Sequence, residues 1–589
     1  MSTTPLPTTL KTRRQSQTPL LGAESSSPFR IRSRWTKFLV GSTTAVWAMT
    51  HFGAGARSYD VVRQHVFGGS SASSTAICET RGAFSPLSPE DEQRRLTIRI
   101  QPFDDRASSP FLPENTVLPD SFHPALSSQI ASLFDNSSDY TYSPQPALDS
   151  AESCLTPPTH SLPLLPKSRV SSASPEIFFS ISTSPDRAVL YAPTWRHFMS
   201  APEPRQGDEA GNRMHAPGCL ITDAHGKGNH GGMAQANAEF RRQRLSCTMK
   251  ESSRVGERYE MRVLGLIRDA WVESERRRFQ ENAPLVDWFV FADDDTWFSD
   301  SAMLREMLSG FDSREDHYFG AFSETRGTVE SFGRISFGGA GITLSRGLVR
   351  KMQSMLDRCA ERFSDVFGGD GIMSNCAAFT RDMPLENLVE EIPSMRQMDI
   401  RGDATGYLTS GRAPFMSLHH WASWLDLIPD RKPLSSITLF SRAASILGGT
   451  NFLRRFIFDS GSVEVVLGYA VTLYREPLKE PDLGATEHSW DGHESYLPLR
   501  RRVEQGKEKL TYYISSIDRL SPDLAIFHHT CNSPTVSNDS LKTFSILYDV
   551  RSSNPTPAEH KSSPHGWLRA SPRSSFDRKQ LGQKRIFHS

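Results

Sequence analysis

Residues 287–298 read DWFVFADDDTWF, and the run from Trp288 to Ala292 is apolar at every position. A strand with one face in water alternates apolar and polar residues, whereas a strand apolar throughout has both faces covered. That places it in the middle of an α/β sheet with helices on both sides, and it puts Asp293, Asp294 and Asp295 at the strand's carboxyl end, where such sheets bind ligands. Three adjacent carboxylates repel one another. Acidic residues after a strand are often an exposed turn, and Asp294 or Asp295 could simply cap a helix starting near residues 299–303. The flanking Phe291, Trp297 and Phe298 argue for a partly dry site instead. There a divalent cation bound through oxygen balances the carboxylates and keeps open positions for a substrate diphosphate.

The neighbouring text supplies the rest of such a sheet. EIFFSISTSPDR (176–187) is β-rich and breaks at Pro185, and AVLYAPTWRHFM after it suits a helix. CLITDAHG (219–226) is a short apolar run ending at Asp223, with loops expected over 205–217 and 226–237. Over 253–279 a helix is predicted, with Tyr259, Val263, Leu266, Ile267, Ala270 and Trp271 on one face. Strand and helix in alternation imply right-handed crossovers and a mostly parallel sheet. Downstream, FGGAG (337–341) offers Gly338, Gly339 and Gly341 as backbone that a ligand can approach closely. A helix is expected over Leu344–Cys359, with Leu348, Met352 and Leu356 on one stripe. FGGDGIMSNC (367–376) presents Asp370 between glycines, and SLHHWASW (417–424) presents His419 and His420 beside tryptophans. Taken singly, His419 reads as a hydrogen-bonded structural histidine and Asp370 as a turn residue.

Composition limits what surrounds this region. Only 37% of the 589 residues are hydrophobic, so part of the chain packs into no core. Lys plus Arg equals Asp plus Glu at 67 each, which removes any global electrostatic case for nucleic acid. Seven cysteines are too few for a disulfide scaffold, and no pair shows zinc-like CxxC spacing. Residues 57–174 are largely Ser- and Pro-rich and read as a disordered stem, and 551–589 read as a disordered basic tail, leaving one folded region at 175–550. Near the start, basic RIRSRWTK (30–37) leads into a diluted apolar stretch at 38–56. It reads as a weak signal anchor, an organellar leader or a disordered arm; as an anchor it would keep residues 1–37 cytosolic.

In order, the aspartate triplet after an aromatic strand, GAFSE, FGGAG with LS after it, GGD with Cys376, and LHHW resemble the Fringe-like branch of glycosyltransferase family 31, particularly its fungal, β-1,3-glycosyltransferase-like members. CLITDA resembles the family's second strand, LSC (245–247) the segment before its metal site, and residues 448–474 its C-terminal part. The resemblance covers about 176–550. It implies a GT-A-type, Rossmann-like single catalytic domain, a UDP-sugar donor, Mn²⁺, a glycan or glycoprotein acceptor, and a single-pass type II Golgi protein with a lumenal catalytic domain. Carried over by residue, the metal falls to Asp295 and His419 with Asp293. Asp293 and Asp294 position the ribose and the metal's water shell, and Asp223 lies near the uridine. Gly338, Gly339 and Gly341 leave room for donor sugar or acceptor, and Asp370 is the base of an inverting transfer. A Cys359–Cys376 disulfide is likewise implied, and the sequon at Asn136 is a parallel mark of lumenal exposure. Two features depart from the family pattern: Gly371 stands where relatives often carry a second acid, and a Gly- and His-containing insertion (226–237) follows Asp223. The rival reading is a catalytically inactive carbohydrate- or nucleotide-sugar-binding protein on the same fold. A metal-dependent phosphohydrolase is a third, with no role for LHHW.

Overall fold

The computed structural model describes residues 173–201, 216–223, 230–492, 495–533 and 543–549, with 96–103, 116–117, 134, 159–165 and 167–168. The candidate anchor at 38–56, the tails at 1–37 and 551–589, Asn136 and residues 224–229 lie outside them. Among the described residues no helix is long and apolar enough to cross a membrane.

Seven strands build the sheet that carries the aspartates: β1 (Ile177–Thr183), β2 (Gly218–Asp223), β3 (Cys247–Glu251), β4 (Trp288–Ala292), β5 (Tyr318–Gly320), β6 (Ile342–Ser345) and β7 (Glu390–Glu391). Their spatial order is 3-2-1-4-6-5-7. β1 pairs in parallel with β2 and β4, β2 with β3, and β5 with β7, while β6 alone runs antiparallel to its neighbours. Helices α1 (Pro185–Met199), α2 (His230–Arg242) and α3 (Tyr259–Glu281) make the crossovers. This is the mostly parallel GT-A-type sheet that the resemblance implied.

β4 is buried at all five positions, and its two faces enter different cores. Trp288, Val290 and Ala292 pack in the larger one, Phe289 and Phe291 in the smaller one under α3. An unbroken apolar run is what a strand between two cores requires.

Several local expectations change. The segment 226–237 is not all loop, because α2 starts at His230. Residues 253–258 precede α3 rather than belonging to it, and Tyr259 is 43% exposed rather than on the buried stripe. The helix expected over Leu344–Cys359 is three pieces: Ile342–Ser345 is strand, Ser345 caps the helix Arg346–Gln353, and a second helix runs Leu356–Arg362. Neither Asp294 nor Asp295 caps a helix; Asp300 does, accepting from Ala302 N–H at 2.8 Å.

A second sheet has nine strands and is mostly antiparallel along its middle, running from Arg455–Phe458 through to Thr543–Asp549. Its margins come from the stretch read as a stem. Leu96–Phe103 pairs in parallel with Thr543–Asp549 and with Thr159–Pro163, and Thr116–Val117 pairs with Arg455–Phe456. These short segments form strands because a folded edge offers them backbone partners, a non-local cause that Ser/Pro composition cannot display. α1 and the helix Pro433–Leu447 join the two sheets through one continuous core containing Trp195, Trp297, Phe440 and Phe452.

Candidate active site

The three aspartates are tolerated side by side because the chain turns between them. Thr296 N–H donates to Asp293 O at 3.1 Å, and Asp293 N–H donates to Thr296 Oγ1 at 3.1 Å. The turn sends Asp294 one way and leaves Asp293 and Asp295 converging on the other side. Asp294 faces α1, where Arg187 Nε donates to Oδ2 at 2.6 Å, Arg187 Nη2 reaches Oδ1, and Thr183 Oγ1 also bonds Oδ2. Trp195 Nε1 holds the Asp294 carbonyl at 3.1 Å. Both oxygens of Asp294 are thus engaged within the protein, so the expected role in positioning ribose or metal-bound water does not fit it. Its place is that of a buried anchor for the turn.

Asp293 and Asp295 face His419. Nε2 of His419 lies 3.0 Å from Asp295 Oδ1 and 3.4 Å from Asp293 Oδ2. A two-stranded ribbon delivers the histidine: Ser417 pairs with Phe298 and Leu418 with Trp297, so the residues after DDD and before HHW lie side by side. Ser417 Oγ donates to Ala340 O at 2.6 Å, tying the glycine segment into the same knot. A Cβ on Gly339 would stand 1.9 Å from His419 Nδ1, and one on Gly338 would stand 2.6 Å from Asp370 Oδ1. Gly341 has φ +94 and Phe298 within 2.8 Å of the missing Cβ. The three glycines are therefore required, but the room they leave is taken by His419, Asp370 and Phe298. At Gly339 and Gly341 that leaves no place for a sugar, whereas Gly338 also lines the cleft beside Asp370.

Asp370 sits in the first turn of the helix Gly369–Thr380. With Tyr259, Phe291, Asp293, Gly338 and Met373 it lines a small cleft at the end of β4. The Cys359–Cys376 disulfide pins this helix to its neighbour, as the resemblance implied. A second bond, Cys219–Cys247, joins β2 to β3 and went unread in the sequence.

Electrostatics separate these groups. Burial pushes Asp295 up, but the hydrogen bond and charge of His419 win and bring it down to about 2. His419 loses to burial and gains more from Asp295 and Asp293, for a net rise. Burial raises Asp293, partly offset by His419, while Asp295 and Asp294 add to the rise. Asp370 rises to about 7, chiefly through burial and then through Asp293. His419 acts on all three carboxylates, with added help to Asp295 from His420 and to Asp293 from Arg187, and the carboxylates still outnumber the cations beside them.

His420 lies against its neighbour, with ring centroids 3.6 Å apart. Its φ is +59, its Nδ1 lies 2.9 Å from Ser423 Oγ, and its Nε2 lies 3.4 Å from Asp399. Asp295, His419 and His420 together offer nitrogen and oxygen atoms close enough to hold one ion. Asp223 is buried at the end of β2, in register with Thr183 of β1 rather than beside Asp293. Sequence reasoning missed Arg187, Thr183 and Asp399. Arg187 directly follows the Ser-Pro-Asp start of α1, a place from which a long cation reaches the next strand end.

Residues 222–391 match the family model described as Fringe-like, and residues 328–524 match the model of a protein of unknown function, DUF604. No curated protein matches the chain. Among solved structures, the galactosyltransferase LgtC in complex with donor and acceptor sugar analogs is 12% identical, covering 45% of this chain and 95% of its own, with a TM-score of 0.27. Mouse xyloside xylosyltransferase 1 in its apo form is 12% identical over 37% and 84%, at 0.23. The mannosyltransferase PcManGT from Pyrobaculum calidifontis, with GDP-Man and Mn²⁺, is 14% identical over 48% and 74%, at 0.21. Likenesses this weak carry no argument about activity. The aspartate triplet and the glycine segment, which LHHW joins at one strand end, lie within the residues 222–391 that are similar to the Fringe-like family.

Proposed function

We propose that the protein is a metal-dependent, inverting glycosyltransferase that moves a sugar from a UDP-sugar to a hydroxyl of a glycan or glycoprotein. The observation that carries this reading is an acidic site with two chemically distinct parts that Asp293 joins. Asp293, with 39% of its side chain exposed, lines the small cleft together with Asp370, and it lies 3.4 Å from His419, which meets Asp295 behind it.

The donor set fits Mn²⁺: two carboxylates from Asp295 and Asp293 and the Nε2 of His419 mix the oxygen and imidazole ligands that ion accepts. His419 Nδ1 faces Gly339, which leaves Nε2 as the ligating atom. When bound, the ion would offset charge on the departing nucleoside diphosphate. The remaining work belongs to the chain. The ribbon 417–418 fixes His419, Arg187 keeps Asp294 out of the cleft, and Asp370 accepts the proton of the attacking hydroxyl. A carboxyl raised to about 7 is matched to that task near neutral pH.

Gly371 does not speak for an inactive relic. A Cβ there would meet Val366 Cγ1 at 3.1 Å, so an acid at 371 would start against Val366 and not towards Gly338. Two disulfides support an oxidising, lumenal setting, in keeping with a Golgi protein anchored through residues 38–56. The test is nucleotide release from UDP-galactose, UDP-N-acetylglucosamine, UDP-glucose and GDP-mannose over a glycan panel, with Mn²⁺ and with chelator. Release of UDP that needs both Mn²⁺ and an acceptor is expected. Tight UDP–Mn²⁺ binding with no turnover of any donor would instead leave a nucleotide-sugar-binding protein.

A further inference from the structure

Phe367 is 74% exposed, three residues before Asp370, and its ring stacks near that of Phe332 at 6.5 Å between centroids and 23° between planes. An exposed phenylalanine costs solubility and hydration unless something covers it, and large exposed apolar groups mark binding surfaces. This one is held out deliberately. The backbone is tied on both sides of it, since Arg258 Nη2 donates to Val366 O at 2.8 Å and Gly368 N–H donates to Glu260 Oε1 at 3.4 Å. Both ties come from the N-terminal end of α3, next to Tyr259, which lines the cleft with Asp370. Phe332 is built similarly. It ends the helix Arg326–Phe332, which buries no residue, and Gly333 follows at φ +81 to stop the helix there.

We propose that Phe367 and Phe332 form an aromatic platform that receives a pyranose ring of the acceptor and presents its hydroxyl to Asp370. This rests on the glycosyltransferase reading. The chemistry is that of a sugar's apolar face: axial C–H groups carry slight positive charge and pack against the negative face of an aromatic ring. Two glycines, Gly368 and Gly369, separate Phe367 from Asp370 of the cleft along the chain, so an acceptor lying on the platform has its neighbouring hydroxyls within reach of the base. A nucleotide diphosphate, being anionic, belongs at the Asp295–His419 end and gains nothing from two phenylalanines. Phe279 makes the contrast. It is as exposed, at 73%, but stands near the far end of α3, about 30 Å along the helix from Tyr259.

The test is acceptor kinetics of Phe367→Ala, Phe332→Ala and Phe367→Tyr, with Phe279→Ala as control. The alanine variants should raise the acceptor KM about tenfold, in line with loss of an aromatic contact. UDP–Mn²⁺ affinity and UDP release to water without acceptor should not change. Phe367→Tyr should restore the KM, and Phe279→Ala should behave as wild type. An unchanged acceptor KM in Phe367→Ala overturns the platform while leaving the enzyme reading intact. If the wild type turns over no donor, the enzyme reading fails, and an immobilised glycan array in the presence of UDP–Mn²⁺ decides the platform separately. Loss of array binding in Phe367→Ala then supports it. Equal binding, or a wild type that binds no glycan, overturns it.

Discussion

Two regions of the molecule bury charge in opposite ways, although elsewhere around the seven-stranded sheet Glu273 is matched by Lys250 and Arg276. In the nine-stranded sheet and its flank, buried charges are matched within the chain. Glu487 takes Lys509 at 2.7 Å, Arg500 at 3.1 Å and the Val503 N–H at 3.0 Å, and Glu464 takes Arg455 and the Tyr474 hydroxyl. At the end of β4 in the seven-stranded sheet, Asp293, Asp295 and Asp370 gather around His419, and two of the three are held above their usual range. A buried charge met inside the chain is architecture. A buried charge left short is the place where the chain expects something from outside, and a Mn²⁺–nucleotide complex would supply it.

The widest consequence lies at the under-supplied end. Asp370→Asn keeps the shape of the side chain and removes its basicity. Transfer should fall by roughly 10²- to 10⁴-fold, the range for loss of a general base, while calorimetry finds UDP–Mn²⁺ affinity unchanged. Full-speed transfer by that variant would make Asp370 a turn residue and dissolve the distinction between the two parts of the site.

The contrast between the two regions sharpens with a paired experiment. Glu487→Ala leaves Lys509 and Arg500 facing a void, and breaking such a buried set costs about 3–5 kcal/mol. Asp295→Ala loses the stabilisation implied by its lowered carboxyl, on the order of 2 kcal/mol, but it relieves the crowding of the carboxylates and His419 can go neutral in response, so it should cost less than Glu487→Ala. That second variant should instead lose Mn²⁺-dependent UDP binding. Denaturant melts of both proteins give the comparison directly. If Asp295→Ala proves as destabilising as Glu487→Ala, the aspartates hold the fold together and the functional reading weakens.

Reducing the Cys359–Cys376 bond comes next. It closes a loop of 17 residues in sequence separation, worth about 3 kcal/mol on the chain-entropy view. Cys359→Ser with Cys376→Ser should lower stability by that order and loosen the helix that carries Asp370. Unchanged stability together with unchanged transfer would show that the packing of Val263 against Gly369 positions that helix by itself.

Much of this was readable from residues and some of it was not. β4 announced itself because a five-residue apolar run is a local signal, and its two-core burial confirms the reason. Asp293, Asp295, His419 and Asp370 were each weak in isolation and legible only in the order that resembles Fringe-like proteins. The role of the glycines was misread: their spacing shows that something comes close, not whether it is a ligand or a side chain of the same molecule. Arg187 was invisible because its partner Asp294 lies 107 residues away, and nothing in a window around either residue marks the pair. The strands 96–103 and 159–163 were missed for the same cause, since their backbone bonds go to each other and to residues 543–549.

The smallest effect, and the one that isolates the missing charge, is in the pH dependence of stability without metal. Asp370 is raised from its ordinary range to about 7, first by burial and then by Asp293. Between those limits the folded protein holds a proton there that the unfolded chain has released. Stability therefore falls as pH rises through that window, by the linkage relation. Asp370→Asn cannot titrate, so it should gain on the wild type as pH climbs from about 4 to 7. Because Asp370 is only half-buried and solvent screens it, the gain should be on the order of 1–2 kcal/mol. Mn²⁺ with UDP should flatten the wild-type slope, because added positive charge lowers the cost of ionising every carboxylate in the cleft. Parallel melts of wild type and variant across that range, with and without Mn²⁺–UDP, measure this. Equal slopes for the two proteins without metal would mean that Asp370 is solvated like a surface acid, and the cleft would then owe no charge to a ligand.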